Sequence, residues 1–216
     1  MATVNRPSRY RFGTVGPALP GFELRLAEDG ELLVKSPTIF AGYFKDEEAT
    51  REVLDDQGWL HTGDVATIDE DGFVTITDRK KDILITAGGK NVAPQNLENE
   101  LKASQYISHA IVVGDRRPYV AALITLDPVE IEKWAAEHGL DGDPEALSEN
   151  DEVRALVQQA VDATNEGRSR YEQIKRFTVL PRDFTMDAGE ITPTLKIKRK
   201  VVAANFAREI DAMYAE

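Results

Sequence analysis

The chain changes its hydrophobic rhythm partway along. In the first third, apolar and polar positions alternate in short runs. Phe22-Glu23-Leu24-Arg25-Leu26 leads into Glu28-Asp29-Gly30, and Glu31-Leu32-Leu33-Val34-Lys35 follows. A period of two on either side of an Asp-Gly pair predicts a β-hairpin. Residues 65–68, Asp69-Glu70-Asp71-Gly72 and residues 73–77 repeat the arrangement and predict a second, acidic hairpin. Residues 46–54 predict a short helix whose first turn is acidic, where the helix dipole favours negative charge.

After residue 82 strands and helices alternate. Residues 83–85 predict a short strand, and Pro94 opens a helix to residue 103 with Leu97 and Leu101 four apart. Residues 109–113 and 120–126 predict strands joined through Gly114-Asp115-Arg116-Arg117-Pro118. Asp127-Pro128-Val129-Glu130 predicts a helix start: an acidic cap, Pro at the first position and Glu in the capping-box place. Residues 151–168 give the clearest helix, with Val153, Leu156, Val157, Ala160 and Val161 on one face. A strand at 177–180 and a helix from about residue 201, striped by Val202, Phe206, Ile210 and Met213, close the chain. Residues 139–150 read as an acidic, turn-rich surface connector.

The fold class expected is therefore α+β, a β-rich piece over 1–78 and an α+β piece over 83–216, joined by a charged linker at 79–82. The β-rich piece is small, and Arg9-Tyr10-Arg11-Phe12-Gly13-Thr14-Val15-Gly16 opens with neither helix cap nor strand nucleus. So few strands leave sheet edges unpaired, which suggests a fragment of something larger.

Charge and composition narrow the function classes. A formal net charge of -12 argues against a general nucleic-acid binder, which needs a dominant positive face. The absence of cysteine excludes disulfides and thiol catalysis. The three histidines, His61, His109 and His138, lack ligand spacing, so no metal site is expected. The N-terminal stretch has no apolar signal-peptide core, and no segment approaches the roughly 20 apolar residues of a membrane span. A soluble, cytoplasmic protein is the expectation.

Four places carry candidate chemistry. Asp64 follows Gly63 after a short aromatic run, and reads either as a plain turn carboxylate or as an acceptor for sugar hydroxyls. Asp78-Arg79-Lys80-Lys81-Asp82 interrupts two apolar strands with charge, as a solvated connector would. Gly88-Gly89 makes a turn where backbone can approach a ligand, or simply closes a hairpin. Beyond Thr192-Pro193-Thr194-Leu195, Lys196 opens a basic run with Lys198, Arg199 and Lys200. That run is either a solvated, helix-leading patch or places a mobile cation within reach of a phosphate or carboxylate.

Their order resembles that of the adenylate-forming superfamily of acyl-CoA synthetases, luciferases and peptide-synthetase adenylation domains, over nearly the whole chain. Trp59-Leu60-His61-Thr62-Gly63-Asp64 is similar to that family's Trp-x-x-Thr-Gly-Asp motif. The resemblance implies that Asp64 binds the ribose hydroxyls of ATP, that Arg79 also contacts the nucleotide, and that Lys81 is a hinge. It implies that Gly88 and Gly89 form the turn facing the CoA pantetheine in the thioester step, and that Lys196 is the catalytic lysine. The family often has Glu where this chain has Lys90, and Lys90 is given no role. Many members carry Pro-x-x-x-Ser-Gly-Lys, whereas this chain has Thr-Pro-Thr-Leu-Lys196, similar to the long-chain and very-long-chain fatty acyl branch.

The resemblance thus implies the C-terminal part of an AMP-forming long-chain fatty acid–CoA ligase: the last β subdomain of a large N-terminal domain, then a mobile lid. ATP and CoA would be substrates beside a long-chain fatty acid. The family's phosphate loop and its Tyr-Gly-x-Thr-Glu motif, which supplies a Mg2+ ligand, are absent here and are expected before residue 1, with the acyl pocket. The fragment alone is expected to be inactive, with the N-terminal domain of the same polypeptide as partner and peripheral membrane contact left open. Two alternatives stay open. One is a fatty acyl-AMP ligase loading a carrier protein. The other is a non-catalytic interaction module whose basic tail meets an acidic partner.

Overall fold

The computed structural model describes residues 1–140 and 142–215, and the chain divides into two units, Met1–Ile83 and Leu84–Glu216. Asp141, in the expected 139–150 connector, and Glu216, at the end of the expected second piece, lie outside the described residues. In the first unit, β1 (Glu23–Leu26), β2 (Glu31–Lys35), β3 (Leu60–Ile68) and β4 (Val74–Arg79) form one antiparallel sheet in sequential order. Each of the two expected hairpins turns on a glycine in the left-handed region, Gly30 at φ 82° and Gly72 at φ 81°. Leu32, Val34, Ala66 and Val74 form the core, flanked by Phe22, Leu24, Ile39, Ile68 and Ile76. The helix α1 (Glu47–Val53) starts on Asp46, whose carboxylate accepts from the Ala49 N–H.

The opening residues fasten onto the second hairpin. Val15 N–H donates to the Val74 carbonyl at 2.8 Å, and Val74 N–H donates to Gly16 at 3.2 Å, extending the pairing at the β4 edge. Arg11 pairs with Asp69 and Asp71 and lies 4.5 Å over the Phe73 ring. Arginine there satisfies the acidic turn that the sequence makes conspicuous.

In the second unit, β5 (Leu84–Ile85) and β6 (Asn91–Val92) form a small hairpin, and α2 (Pro94–Leu101) follows it. The main sheet has the order β7 (Ile107–Val113), β8 (Val120–Leu126), β9 (Ile174–Val179), antiparallel then parallel. The crossover from β8 to β9 carries α3 (Pro128–Glu137), α4 (Pro144–Glu149) and α5 (Asp151–Asn165), as a parallel neighbour requires. β8 is buried on both faces, so it reads as a continuous apolar run. Val120, Ala122 and Ile124 pack with Leu97 and Leu101 of α2 and with Val157 and Val161 of α5. Ala121 and Leu123 pack on the other side with Val202, Phe206 and Met213, from α6 (Arg199–Asn205), α7 (Ala207–Ala212) and their flanks.

Four expectations are corrected. Residues 144–149, placed in a surface connector, form α4: Asp143 caps it and Leu147 buries itself against Ile131, Ala135 and Val153. At α3 only half of the capping box forms. Asp127 accepts from Val129 and Glu130 N–H at 3.0 Å, but its own N–H donates to Tyr106, and Glu130 turns to Lys133. The closing helix is two helices that meet at Phe206. Asp78 is buried at the end of β4, so the charged run is not solvated from its first residue. Among the described residues, no helix is long and apolar enough to cross a membrane.

Candidate functional site

Asp64 sits inside a strand, not in a turn. β3 begins at Leu60 and carries the motif residues through Gly63, which takes φ 70° and kinks the strand. The register sets Asp64 opposite Arg79, with a shift between Val65 and Ala66. Arg79 donates to the Asp64 carboxylate at 2.6 Å. Both side chains are partly exposed, which leaves oxygens and N–H groups able to meet a ligand's hydroxyls.

A buried carboxylate beneath this pair shapes it. Glu31 accepts from the Gly63 N–H at 2.9 Å, meets His61 Nδ1 at 3.1 Å and accepts from Lys80 Nζ at 3.0 Å. Burial pushes the Glu31 pKa up, but hydrogen bonds from His61, Lys80 and Gly63 outweigh it and hold the carboxylate below its ordinary value. Lys80 also reaches Asp29 at 2.6 Å. Thr62 completes the kink by donating to the Leu32 carbonyl and accepting from the Asp64 N–H. Lys81 follows on a single 3-10 turn, Lys80–Asp82, exposed and with no ion pair among the described residues.

In the second unit the Gly88-Gly89 turn closes the β5–β6 hairpin. Thr86 N–H donates to the Lys90 carbonyl, Gly89 N–H donates back to Thr86, and Gly89 takes φ 71°. Three bonds tie this hairpin to the 114–117 turn: Ala87 N–H to the Arg117 carbonyl at 2.9 Å, Arg116 N–H to the Ile85 carbonyl at 2.7 Å and Ile85 N–H to the Asp115 carboxylate at 3.1 Å. No side chain could be added at Gly89 without strain, although space beyond it is open.

Lys196 closes another tight loop. Thr192 N–H donates to the Lys196 carbonyl at 2.8 Å, Leu195 N–H donates to Thr192 at 2.8 Å, and Lys196 N–H donates to Thr192 Oγ1 at 3.0 Å. Leu195 takes φ 58°, at the position where the resembled family often has glycine. Lys196 is exposed, and its ammonium makes no hydrogen bond or ion pair among the described residues. Of the basic run, Lys198 and Lys200 are exposed, whereas Arg199 is structural. It donates to Glu98 at 2.8 Å and to the Val112 carbonyl at 3.0 Å.

Asp64, Arg79 and Lys81 thus belong to the first unit, and Gly88, Gly89 and Lys196 to the second. The structure pairs Asp64 with Arg79 directly, while Gly88-Gly89 and Lys196 cap different hairpins of their unit. Sequence reading missed the buried carboxylates that organise these loops: Glu31, Glu98 and Glu190. It also missed Asp183, which accepts from Ser108 and Thr125 at 2.7 Å and meets His109 Nδ1 at 2.8 Å. Only Glu98 left a signal, since it shares a helix face with Pro94, Leu97 and Leu101. Among the described residues, no group of three or more His, Asp or Glu is placed to hold a metal ion.

Comparison with known proteins places these features in a context. A family described as AMP-binding enzyme C-terminal domain matches residues 81–216. A long-chain-fatty-acid–CoA ligase, FadD15 of Mycobacterium tuberculosis (strain ATCC 25618 / H37Rv), is 49% identical over 94% of this chain and 34% of its own length. The adenylation domain of a carboxylate reductase from Mycobacterium chelonae superposes with a TM-score of 0.74 at 25% identity, over 96% of this chain and 33% of that one. A carboxylic acid reductase didomain from Segniliparus rugosus, solved in complex with AMP, gives 0.72 at 27% identity, over 93% and 28%. The chain spans about a third of the length of the curated relatives it matches.

Proposed function

Because the chain belongs to the family of AMP-binding enzyme C-terminal domains, within the adenylate-forming superfamily, we propose that it is part of an AMP-forming long-chain fatty acid–CoA ligase. In that reaction a fatty carboxylate attacks the α-phosphate of ATP, pyrophosphate leaves, and the CoA thiol then displaces AMP from the acyl-adenylate. Asp64 accepts hydrogen bonds from the ribose hydroxyls, and Arg79, already bonded to it, orients that carboxylate and donates to the nucleotide. Lys196 supplies positive charge to the carboxylate and α-phosphate as negative charge develops. Losing such an oriented charge costs about 3 to 4 kcal/mol, or two to three decades in rate. The Gly88-Gly89 turn, with no side chain and open space beyond it, is where backbone approaches the pantetheine arm. Lys81, exposed on one 3-10 turn next to the division at Ile83, absorbs the backbone rotation between the two half-reactions. A cytoplasmic location belongs to the same reading.

The observation that carries this reading is Lys196: a cation with no partner among the described residues, on a tight loop, in a chain 49% identical to a named fatty-acid–CoA ligase. The test is a chimera in which this chain replaces the matching third of that relative. With palmitate, ATP and CoA the chimera makes acyl-CoA, the isolated chain makes none, and Lys196→Ala in the chimera lowers pyrophosphate release about 100- to 1,000-fold. An unchanged rate for Lys196→Ala rejects the assignment.

A further inference from the structure

The Lys196 loop is anchored on both sides. On the entering side, Glu190 is fully buried. Its carboxylate accepts two hydrogen bonds from the Arg182 guanidinium at 2.7 Å each, one from Asn205 of α6 at 3.0 Å and one from the Thr185 N–H at 3.0 Å. Its backbone is engaged as well: the N–H donates to Thr185 at 3.0 Å, and the carbonyl accepts from the Lys198 N–H at 2.7 Å. That last bond joins the two sides of the loop, and Ile191 pairs with Ile197 one step nearer the tip. On the leaving side, the next residue, Arg199, is held by Glu98 and the Val112 carbonyl.

The pair of buried Glu190 and half-exposed Arg182 supplies geometry as well as stability. A carboxylate with four directed donors admits one orientation, and the chain segment attached to it inherits that orientation. Leu195 is a second, independent sign. A non-glycine residue stays at φ 58° only where its surroundings over-determine the backbone.

We propose that Glu190 is a positioning residue for Lys196: through Arg182, Asn205 and the Thr185 N–H it fixes both sides of the 191–197 loop, so that the lysine is delivered to the reacting phosphate from a rigid stem. This rests on the role proposed for Lys196. Glu190 itself touches no substrate and acts on the adenylation step alone.

Two measurements test it. In the 216-residue chain, 15N relaxation of the native protein gives rigid amides for Thr192 and Thr194 to Lys196, with order parameters of about 0.85. In Glu190→Gln they fall below about 0.6 while the sheet amides stay rigid. In the chimera, Glu190→Gln lowers kcat for pyrophosphate release about 10- to 100-fold. KM for the fatty acid and the rate of thioester formation from preformed acyl-adenylate stay unchanged. In a Lys196→Ala background the same substitution has no further effect. Asn205→Ala, which removes one neutral donor, gives the same pattern at smaller size and serves if Glu190→Gln fails to fold. Equal rigidity in native and variant loops, a loss that multiplies with Lys196→Ala, or an equal loss in the thioester step each overturns the proposal. An unimpaired Lys196→Ala chimera instead rejects the function reading, and the relaxation data still report whether Glu190 holds the loop.

Discussion

Leu195 holds a backbone conformation that glycine takes freely and leucine takes at a cost of about 1 to 2 kcal/mol. Leu195→Val is therefore expected to destabilise the second unit by about 1 to 2 kcal/mol, because β-branching makes that region worse still. Leu195→Gly should leave stability within about 0.5 kcal/mol, since strain relief is offset by a more flexible unfolded chain. Urea titration of the three proteins separates these outcomes. Two other residues contribute to the response to acid. Hydrogen bonds from Arg182, opposed by burial and aided by Asn205 and Thr185, lower the Glu190 pKa to about 2. Burial works against the Asp183 charge, but bonds from His109, Thr125 and Ser108 prevail and lower it to about 2. Both folded values lie below the ordinary ones, so their stabilisation is complete above about pH 4.5 and is lost as pH falls through about 2. At about 1.4 kcal/mol per unit, the loss is about 2 to 3 kcal/mol from Asp183 and at most about 3 to 4 from Glu190. A urea midpoint that stays flat from pH 5 down to pH 2 would contradict this. Asp64, Arg79 and Lys196 are proposed on motif order, which the sequence displays directly. Glu190 was not legible, because its partners Arg182 and Asn205 lie apart from it in sequence and only the fold brings them together.

At the scale of elements, the kink of β3 at Gly63 decides where Asp64 points, and Glu31 of the neighbouring strand holds that kink. Glu31→Gln keeps the shape but removes the charge that answers Lys80. A loss of about 1 to 3 kcal/mol is expected, with weaker nucleotide binding in the chimera. Urea titration and AMP titration check the two halves, and an unchanged affinity would detach Glu31 from the Asp64–Arg79 pair. The hairpins and amphipathic helices were legible because their periods of 2 and 3.6 run long enough to stand out. The start of β3 at Leu60 was not, since Leu60-His61-Thr62-Gly63-Asp64 shows no apolar–polar alternation. α4 was hidden for a different reason: six residues anchored by Leu147 alone show no period, although Asp143-Pro144 repeats the start signal of Asp127-Pro128.

For the whole molecule, the second unit has its own sheet and cores on both sheet faces, so residues 84–216 expressed alone should give a cooperative unfolding transition. A featureless thermal scan by circular dichroism would argue otherwise. Lys81→Pro in the chimera should spare pyrophosphate release and slow thioester formation about 10-fold, some 1.4 kcal/mol of barrier. Equal loss in both half-reactions would remove the hinge assignment. The hydrophobic rhythm changes near residue 80 and the chain divides between Ile83 and Leu84; that β5 starts at Leu84 and leaves Ile83 outside it does not show in the apolar run Ile83-Leu84-Ile85. The parallel pairing of β8 with β9 has a consequence for the order of assembly. β7 and β8 are neighbours in sequence and can zip as the chain leaves the ribosome. β9 must wait for three helices to be made, and its pairing closes a long loop before any contact rewards it. Lys196 lies beyond β9, so the cation proposed to start the chemistry rides on the last part of the chain to dock.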